Sequence, residues 1–168
     1  MLLGTLAMAV ALHSATSMAD GLTGADGLTG QPAPDFVLRS IDNTNLRLSE
    51  YRGQVVMLNF WASWCGACRQ AMSALNEIYA KYAQAGLVLL SINLDDDSAL
   101  AEHMAHSLGI RFPVLLDDRK TVSPTFHVET MPLTVLIDRE GDVRFEYTGY
   151  NVGDERKFIT PLKTLLNE

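Results

Sequence analysis

Stretches with the apolar pattern of strands alternate along this chain with stretches that have the period of a helix. Residues 55–60 and 87–92 are apolar runs of the kind found in strands buried on both faces. From residue 65 to about 85, apolar side chains recur every three or four positions, which predicts a helix with one buried face. Gly86 then supplies the signal for the end of that helix. The strand–helix–strand order predicts that the two strands pair in parallel.

Shorter patterns before and after this unit complete the predicted architecture. Residues 36–38 and 45–48, separated by Asp42 and Asn43, predict a small hairpin. After residue 92 the pattern predicts a helix at 98–108, a strand at 112–116, a helical turn at 119–127, strands at 133–137 and 143–147, and an amphipathic helix at 154–166. The predicted fold class is α/β, with a mixed central sheet that is flanked by helices and extended by the N-terminal hairpin.

The first thirty residues have a different character and divide into two segments. Residues 1–19 contain an apolar run and end in Ser17-Met18-Ala19, a small-x-Ala cleavage signal, so they are predicted to be a signal peptide. No Lys or Arg precedes the run, and two alternatives stay open: an uncleaved anchor, or an apolar tail without a targeting role. Residues 20–30 are rich in Gly and Thr, because a six-residue sequence at 19–24 is repeated at 25–30, and they predict a flexible linker. The domain is expected to span 31–168.

Composition and charge narrow the class of protein. The chain has 168 residues, of which 48% are hydrophobic and 20% charged, as is usual for one soluble globular domain. A chain of this length can bury a core without cross-links. The formal net charge of −7, with no cluster of Lys or Arg, argues against nucleic acid or an anionic membrane surface as a partner.

The two cysteines are the candidate chemistry of the chain. Only two residues separate Cys65 from Cys68, and a disulfide that closes so short a loop adds little stability. They follow a predicted buried strand and open a predicted helix, which is the context of a redox motif. Unpaired N–H groups at the helix N-terminus favour a thiolate, so the pKa of the Cys65 thiol is expected to fall below its usual value of about 8.5. Cys65 is therefore expected to attack a substrate disulfide, and Cys68, one turn deeper, to resolve the mixed disulfide.

Other residues near these cysteines bear on direction and substrate. The spacer Gly66-Ala67 has no charge and no imidazole, which favours a reduction potential of the Cys65–Cys68 disulfide near the reducing end of the range found in thiol–disulfide proteins. Trp64 is expected to face the substrate, whereas Trp61 is expected to pack in the core. Met131-Pro132 stands directly before a predicted strand, where a proline on its own is also an ordinary strand start.

Three stretches taken together resemble one protein family. They are QPAPDF at 31–36, LNFWASWC at 58–65 and MPLTVLID at 131–138. With the leading hairpin, they are similar to the TlpA/ResA/DsbE family of bacterial periplasmic thiol–disulfide oxidoreductases. The likeness covers about residues 31–166 and implies a thioredoxin fold.

The resemblance also implies roles for individual residues. Pro132 would be a cis proline that faces the cysteine pair, and the backbone of Met131 would pair with the substrate as an added strand. An acidic residue after the strand 87–92 would help to deprotonate Cys68. Asp96 stands at the matching position, with Asp95 as an alternative, and a solvated turn that caps the next helix is the competing interpretation. Asn59 replaces the buried Asp of cytoplasmic thioredoxins, as in the resembled family.

The family's properties imply a location, a chemistry and partners. The implied location is the periplasm, with the protein soluble after cleavage or tethered by an uncleaved segment. No cofactor or metal is expected beyond the redox-active Cys65–Cys68 disulfide. A monomer is expected, with a disulfide-bearing protein as substrate and a membrane thiol transporter of the DsbD/CcdA kind as electron donor. Many members serve cytochrome c maturation, but Gly66-Ala67 differs from the Glu-Pro or Pro-Thr spacers of that branch, which leaves the client open. A disulfide-forming oxidase and a metallochaperone-like binding module are the alternative functions.

Overall fold

The computed structural model describes residues 27–168, which form one mixed sheet with helices. The strands are β1 (Val37–Ser40), β2 (Asn45–Arg47), β3 (Val55–Trp61), β4 (Leu87–Asn93), β5 (Val114–Leu116), β6 (Leu133–Ile137) and β7 (Val143–Thr148). The helices are α1 (Gly66–Tyr82), α2 (Ser98–Ser107) and α3 (Glu155–Asn167), with 3-10 turns at Leu48–Tyr51, Ala83–Ala85 and Ser123–Phe126. Within residues 27–168, no helix combines the length and the apolar character needed to cross a membrane.

The sheet has the order β2-β1-β5-β4-β3-β6-β7, with β3 and β4 near its centre. β3 pairs in parallel with β4, and β4 in parallel with β5, because a helix carries the chain back between each pair. β6 pairs antiparallel with β3, and β7 antiparallel with β6. The predicted parallel unit, the closing hairpin and the N-terminal hairpin β1–β2 are all confirmed.

Two hydrophobic clusters cover the two faces of the sheet. Val55, Met57 and Trp61 of β3 belong to the cluster that contains buried residues of all three helices. The alternate residues of the same strand belong to the second cluster, which Phe36 and Phe126 help to close. All seven residues of β3 are buried, as the apolar run predicts.

Two predicted elements are shorter in the structure than the pattern suggests. The strand predicted at 112–116 contains only Val114–Leu116, and the helical turn predicted at 119–127 contains only Ser123–Phe126. In the second case the buried carboxylate of Asp117 accepts backbone N–H groups from residues 121–123, so these residues form a loop around that carboxylate. Such a side-chain competitor for backbone N–H groups is not visible in the periodicity of the sequence.

The predicted linker is wrong for its last four residues. Leu28 is only 8% exposed and packs into the second cluster, while the Thr29 amide and hydroxyl both donate to Glu146. The Gly30 amide donates to the Val143 carbonyl at 2.7 Å. Residues 27–30 therefore belong to the folded domain, held by one apolar anchor and by hydrogen bonds to β7. The predicted signal peptide, and the linker up to residue 26, lie outside the described residues.

Candidate active site

The cysteine pair lies where β3 leads into α1. Trp61, the last residue of β3, is completely buried, whereas Trp64 is 71% exposed directly before Cys65. Cys65 is the N-cap of α1, and its Sγ accepts a hydrogen bond from the Cys68 amide at 3.1 Å. The first turn of the helix contains no acidic side chain, so no neighbouring carboxylate on that turn opposes a negative charge on sulfur. This is the helix-terminus position that the sequence predicts for the attacking sulfur.

The two cysteines form a disulfide, with an S–S distance of 2.06 Å and a Cα–Cα distance of 5.2 Å. Cys65 keeps 9% of its surface exposed, and Cys68 keeps none. A second thiol can reach only the sulfur that faces solvent, so the exposure favours Cys65 as the sulfur that meets a substrate. The buried Cys68 sulfur is accessible to Cys65, to which it is bonded, and not to solvent.

A proline loop lies directly before β6. The Met131-Pro132 peptide bond is cis, as the resemblance implies. Pro132 is buried, and its carbonyl accepts the Gly149 amide at 2.7 Å. Met131 packs against the cluster that contains both cysteines. Among the backbone–backbone hydrogen bonds that residues 27–168 form outside the helices and strands, none involves Met131.

The two acidic candidates after β4 have very different surroundings. The Asp96 side chain is 95% exposed and lies 2.7 Å from the Lys120 ammonium, whose hydrogen bond and positive charge hold the pKa of that carboxyl below its usual value. Asp95 is only 3% exposed. Its carboxylate accepts the Ser63 amide at 2.9 Å and the Asn93 side-chain amide at 2.8 Å. Only Asp95 therefore contacts the segment that contains the cysteines, and the role assigned to Asp96 stays a prediction without such a contact.

Ser63 and Asn93 are the residues of this site that sequence reasoning missed. Ser63 lies two residues before Cys65. Asn93 is the last residue of β4, and its Nδ2 donates to Asp95. An Asn-x-Asp sequence at the end of a buried strand was the available signal, because a buried polar side chain needs a partner.

Asn59 lies at the predicted buried position on β3. It is fully buried, and its Nδ2 donates to the hydroxyl of Thr134 at 3.1 Å. Thr134 is the residue of β6 that pairs with Asn59 in the sheet. An amide has no proton to lose near neutral pH, so Asn59 supplies polarity without acid–base chemistry. Within residues 27–168, no group of three or more His, Cys, Asp and Glu side chains comes together as a metal site.

A thioredoxin-type sheet with an accessible sulfur at the tip of a helix, a second sulfur one turn behind it and a cis proline defines the class of thiol–disulfide oxidoreductases. The comparisons with known proteins agree. The chain belongs to the AhpC/TSA family, whose model matches residues 29–146. It is similar to the thiol-disulfide oxidoreductase ResA of Geobacillus kaustophilus, with 38% identity over 71% of this chain and 69% of that protein. The ResA of Bacillus subtilis is 32% identical over 71% and 67% of the two chains.

Solved structures show the same likeness. A candidate thiol:disulfide interchange protein DsbE from Chlorobium tepidum aligns with a TM-score of 0.80 and 33% identity, over 84% of this chain and 99% of that one. A candidate protein disulfide isomerase from Bacteroides thetaiotaomicron aligns with a TM-score of 0.78 and 32% identity, over 84% and 92%. The predicted TlpA/ResA/DsbE resemblance and the thioredoxin fold are confirmed, and the protein is a thiol–disulfide oxidoreductase that works through redox-active cysteines on disulfide-bearing substrates.

Proposed function

We propose that this protein is a reductase of protein disulfides outside the cytoplasm. The observation that carries the proposal is the asymmetry of the pair: Cys65 keeps 9% of its surface exposed, beside the exposed Trp64, whereas Cys68 keeps none. A dithiol with one sulfur for attack and one for release suits a protein substrate that must be bound and then let go. The uncharged spacer Gly66-Ala67 favours the reducing direction, because it provides no further group that would stabilise the reduced form.

The proposed reaction transfers two electrons and two protons to the client. The Cys65 thiolate attacks one sulfur of the client disulfide, and the other client sulfur leaves as a thiolate that takes up a proton. The Cys68 thiol then loses its proton to solvent, and the resulting thiolate attacks the Cys65 sulfur. This attack breaks the mixed disulfide and releases the second client sulfur as a thiolate, which takes up a proton from solvent. The client leaves with two thiols, and the protein is left with the Cys65–Cys68 disulfide seen in the structure.

The substrate is proposed to bind across Trp64 and the proline loop. Trp64 offers an exposed apolar surface next to Cys65. The backbone of Met131, held in place through Pro132, would receive the client as an added strand. These contacts do not read a particular client sequence, since main-chain pairing is general.

Location and partners follow from the family in this proposal. The protein acts as a monomer in the periplasm, either released from its signal peptide or tethered by it. A membrane thiol transporter of the DsbD/CcdA kind restores the reduced pair. Apocytochrome c is one client that the family resemblance implies, and the Gly66-Ala67 spacer leaves other clients open.

A trap experiment tests the proposal. In Cys68→Ser, attack survives but resolution is lost, so a mixed disulfide between Cys65 and its client is expected to accumulate in an exported extract. The adduct should disappear with dithiothreitol and should be absent in Cys65→Ser, the matched control. If the two variants capture the same proteins, the division of labour between the cysteines is wrong.

The direction is tested by the equilibrium potential of the couple in glutathione buffers. A value near that of thioredoxin, about −270 mV, is expected for a reductase. A value of about −150 mV or higher would assign the protein to the disulfide-forming oxidases instead. Stoichiometric copper in purified protein would support the metallochaperone alternative.

A further inference from the structure

The buried carboxylate of Asp95 is fully occupied by the segment before the cysteines and by its own strand. Its Oδ1 accepts the Ser63 hydroxyl at 2.9 Å, and its Oδ2 accepts the Ser63 amide at 2.9 Å. The Asn93 Nδ2 donates to Oδ2 at 2.8 Å, and the Asp95 amide donates back to the Asn93 side chain at 2.9 Å. Both carboxylate oxygens therefore already accept hydrogen bonds, at a residue that is only 3% exposed.

Ser63 connects this carboxylate to the attacking sulfur. The turn that contains Ser63 is closed by the Cys65 amide, which donates to the Ala62 carbonyl at 3.1 Å. One residue earlier, the Trp61 carbonyl accepts the Leu94 amide at 2.9 Å. The segment from the end of β3 to Cys65 is thus tied to the end of β4 at two successive points, and the Asp95 carboxylate is the tie nearer to the sulfur.

We propose that Asp95 is a positioning residue that acts through Ser63 to hold Cys65 at the N-cap of α1. The proposal rests on the redox function proposed above. The Cys65 backbone is extended, at φ −87° and ψ 106°, and the Cys65 Sγ lies 3.1 Å from the Cys68 nitrogen. If the preceding turn loosens, the sulfur loses part of its exposure to the helix N–H groups, and the thiolate becomes less favourable.

The same contacts argue against Asp95 as a base for Cys68. A general base must lie within hydrogen-bond reach of the proton that it removes. Asp95 directs both of its oxygens to Ser63 and Asn93. Loss of Asp95 should therefore affect the first step, attack by Cys65, and not only the resolving step.

The test measures Cys65 alone, in the Cys68→Ser background, by the pH dependence of its alkylation with iodoacetamide. Ser63→Ala removes the hydroxyl contact but keeps the Asp95 charge. It should raise the pH midpoint of alkylation and slow the reaction at pH 7 by about tenfold, the lower end of what one hydrogen bond to a charged group contributes. Ser63→Thr keeps a hydroxyl and should restore both values. An unchanged midpoint in Ser63→Ala overturns the proposal.

Asp95→Asn separates positioning from simple charge. Loss of a nearby negative charge alone would lower the midpoint, because a like charge disfavours the thiolate. Loss of the tie would raise it, since Asn can satisfy only part of the donor set. We expect a raised midpoint. A lowered or unchanged midpoint refutes the positioning role, as does an effect that appears only when Cys68 is present.

Asp117→Asn is the matched control for general destabilisation. Asp117 is also a buried carboxylate that accepts backbone N–H groups, from Thr121 at 2.7 Å and Ser123 at 2.8 Å. Its backbone amide donates to the Asn93 carbonyl, a bond that the substitution keeps, while its carboxylate bonds to residues 121–123 and not to Ser63 or Asn93. The substitution should lower the free energy of unfolding and leave the midpoint unchanged. An equal shift in this control would attribute the Asp95 effect to global loosening. Since alkylation needs no client, its outcome is independent of the reductase test.

Discussion

Leu28→Ala should destabilise the domain, although the residue lies in a segment with a linker-like sequence. Leu28 is 8% exposed and packs in the cluster beneath the sheet. Burial of a complete leucine side chain stabilises a fold by about 1.5–3 kcal/mol, and the alanine retains one of its carbons. A segment that precedes the first strand can undock, so the penalty for an empty cavity is smaller than in the middle of a core.

We therefore expect the free energy of unfolding to fall by about 2 kcal/mol, or about thirtyfold in the ratio of folded to unfolded protein. Urea unfolding of the oxidised protein, followed by the fluorescence of its two tryptophans, of which Trp61 is buried, measures this change. The linear dependence on urea should keep its slope, because the surface exposed on unfolding changes little.

Leu22→Ala is the matched control, since Leu22 occupies the same position in the first copy of the repeated sequence. In the linker interpretation of residues 20–26, this variant unfolds like the wild type. If Leu28→Ala also unfolds like the wild type, the docking of residues 27–30 contributes nothing and the reasoning is refuted. Equal losses in both variants would contradict the linker interpretation instead.

Two further changes test the electrostatics and the substrate surface. Burial, and then the hydrogen bond to Glu155, raise the pKa of Tyr150 to about 12. A raised phenol pKa stabilises the folded protein fully below pH 10, and this contribution is lost as the pH rises toward 12. The difference in free energy of unfolding between the wild type and Tyr150→Phe, measured with urea, should therefore shrink by up to about 2 kcal/mol between pH 10 and 12. A difference that stays constant across this range contradicts the prediction. Trp64→Ala should leave the free energy of unfolding within about 0.5 kcal/mol, because the side chain is 71% exposed, and should raise KM several-fold for a protein disulfide but not for oxidised glutathione. An equal loss with both substrates would mean that Trp64 acts on the chemistry.

The local features of this protein, its secondary structure around the cysteines and their spacing, could be predicted from the sequence. The continuous apolar run of β3, the helical period of α1 and the spacing of Cys65 and Cys68 are properties of neighbouring residues, and so the strand–turn–helix unit and the order of the two sulfurs could be predicted. The Met131-Pro132 loop, far away in the chain, was assigned to the site only through the family resemblance.

Other features depended on how distant segments meet. Asp95 and Asp96 are adjacent and chemically alike, yet one carboxylate is buried against Ser63 and the other pairs with Lys120 in solvent. The direction in which each side chain leaves the end of β4 decides this, and no local pattern encodes it. Leu28 likewise lies in a repeat with the sequence of a flexible linker. It is buried because it packs into the second cluster, next to residues that hydrogen-bond to β7. Periodicity reports which face of an element is apolar, while partners across the fold are chosen by packing and by the need of buried polar groups for hydrogen bonds.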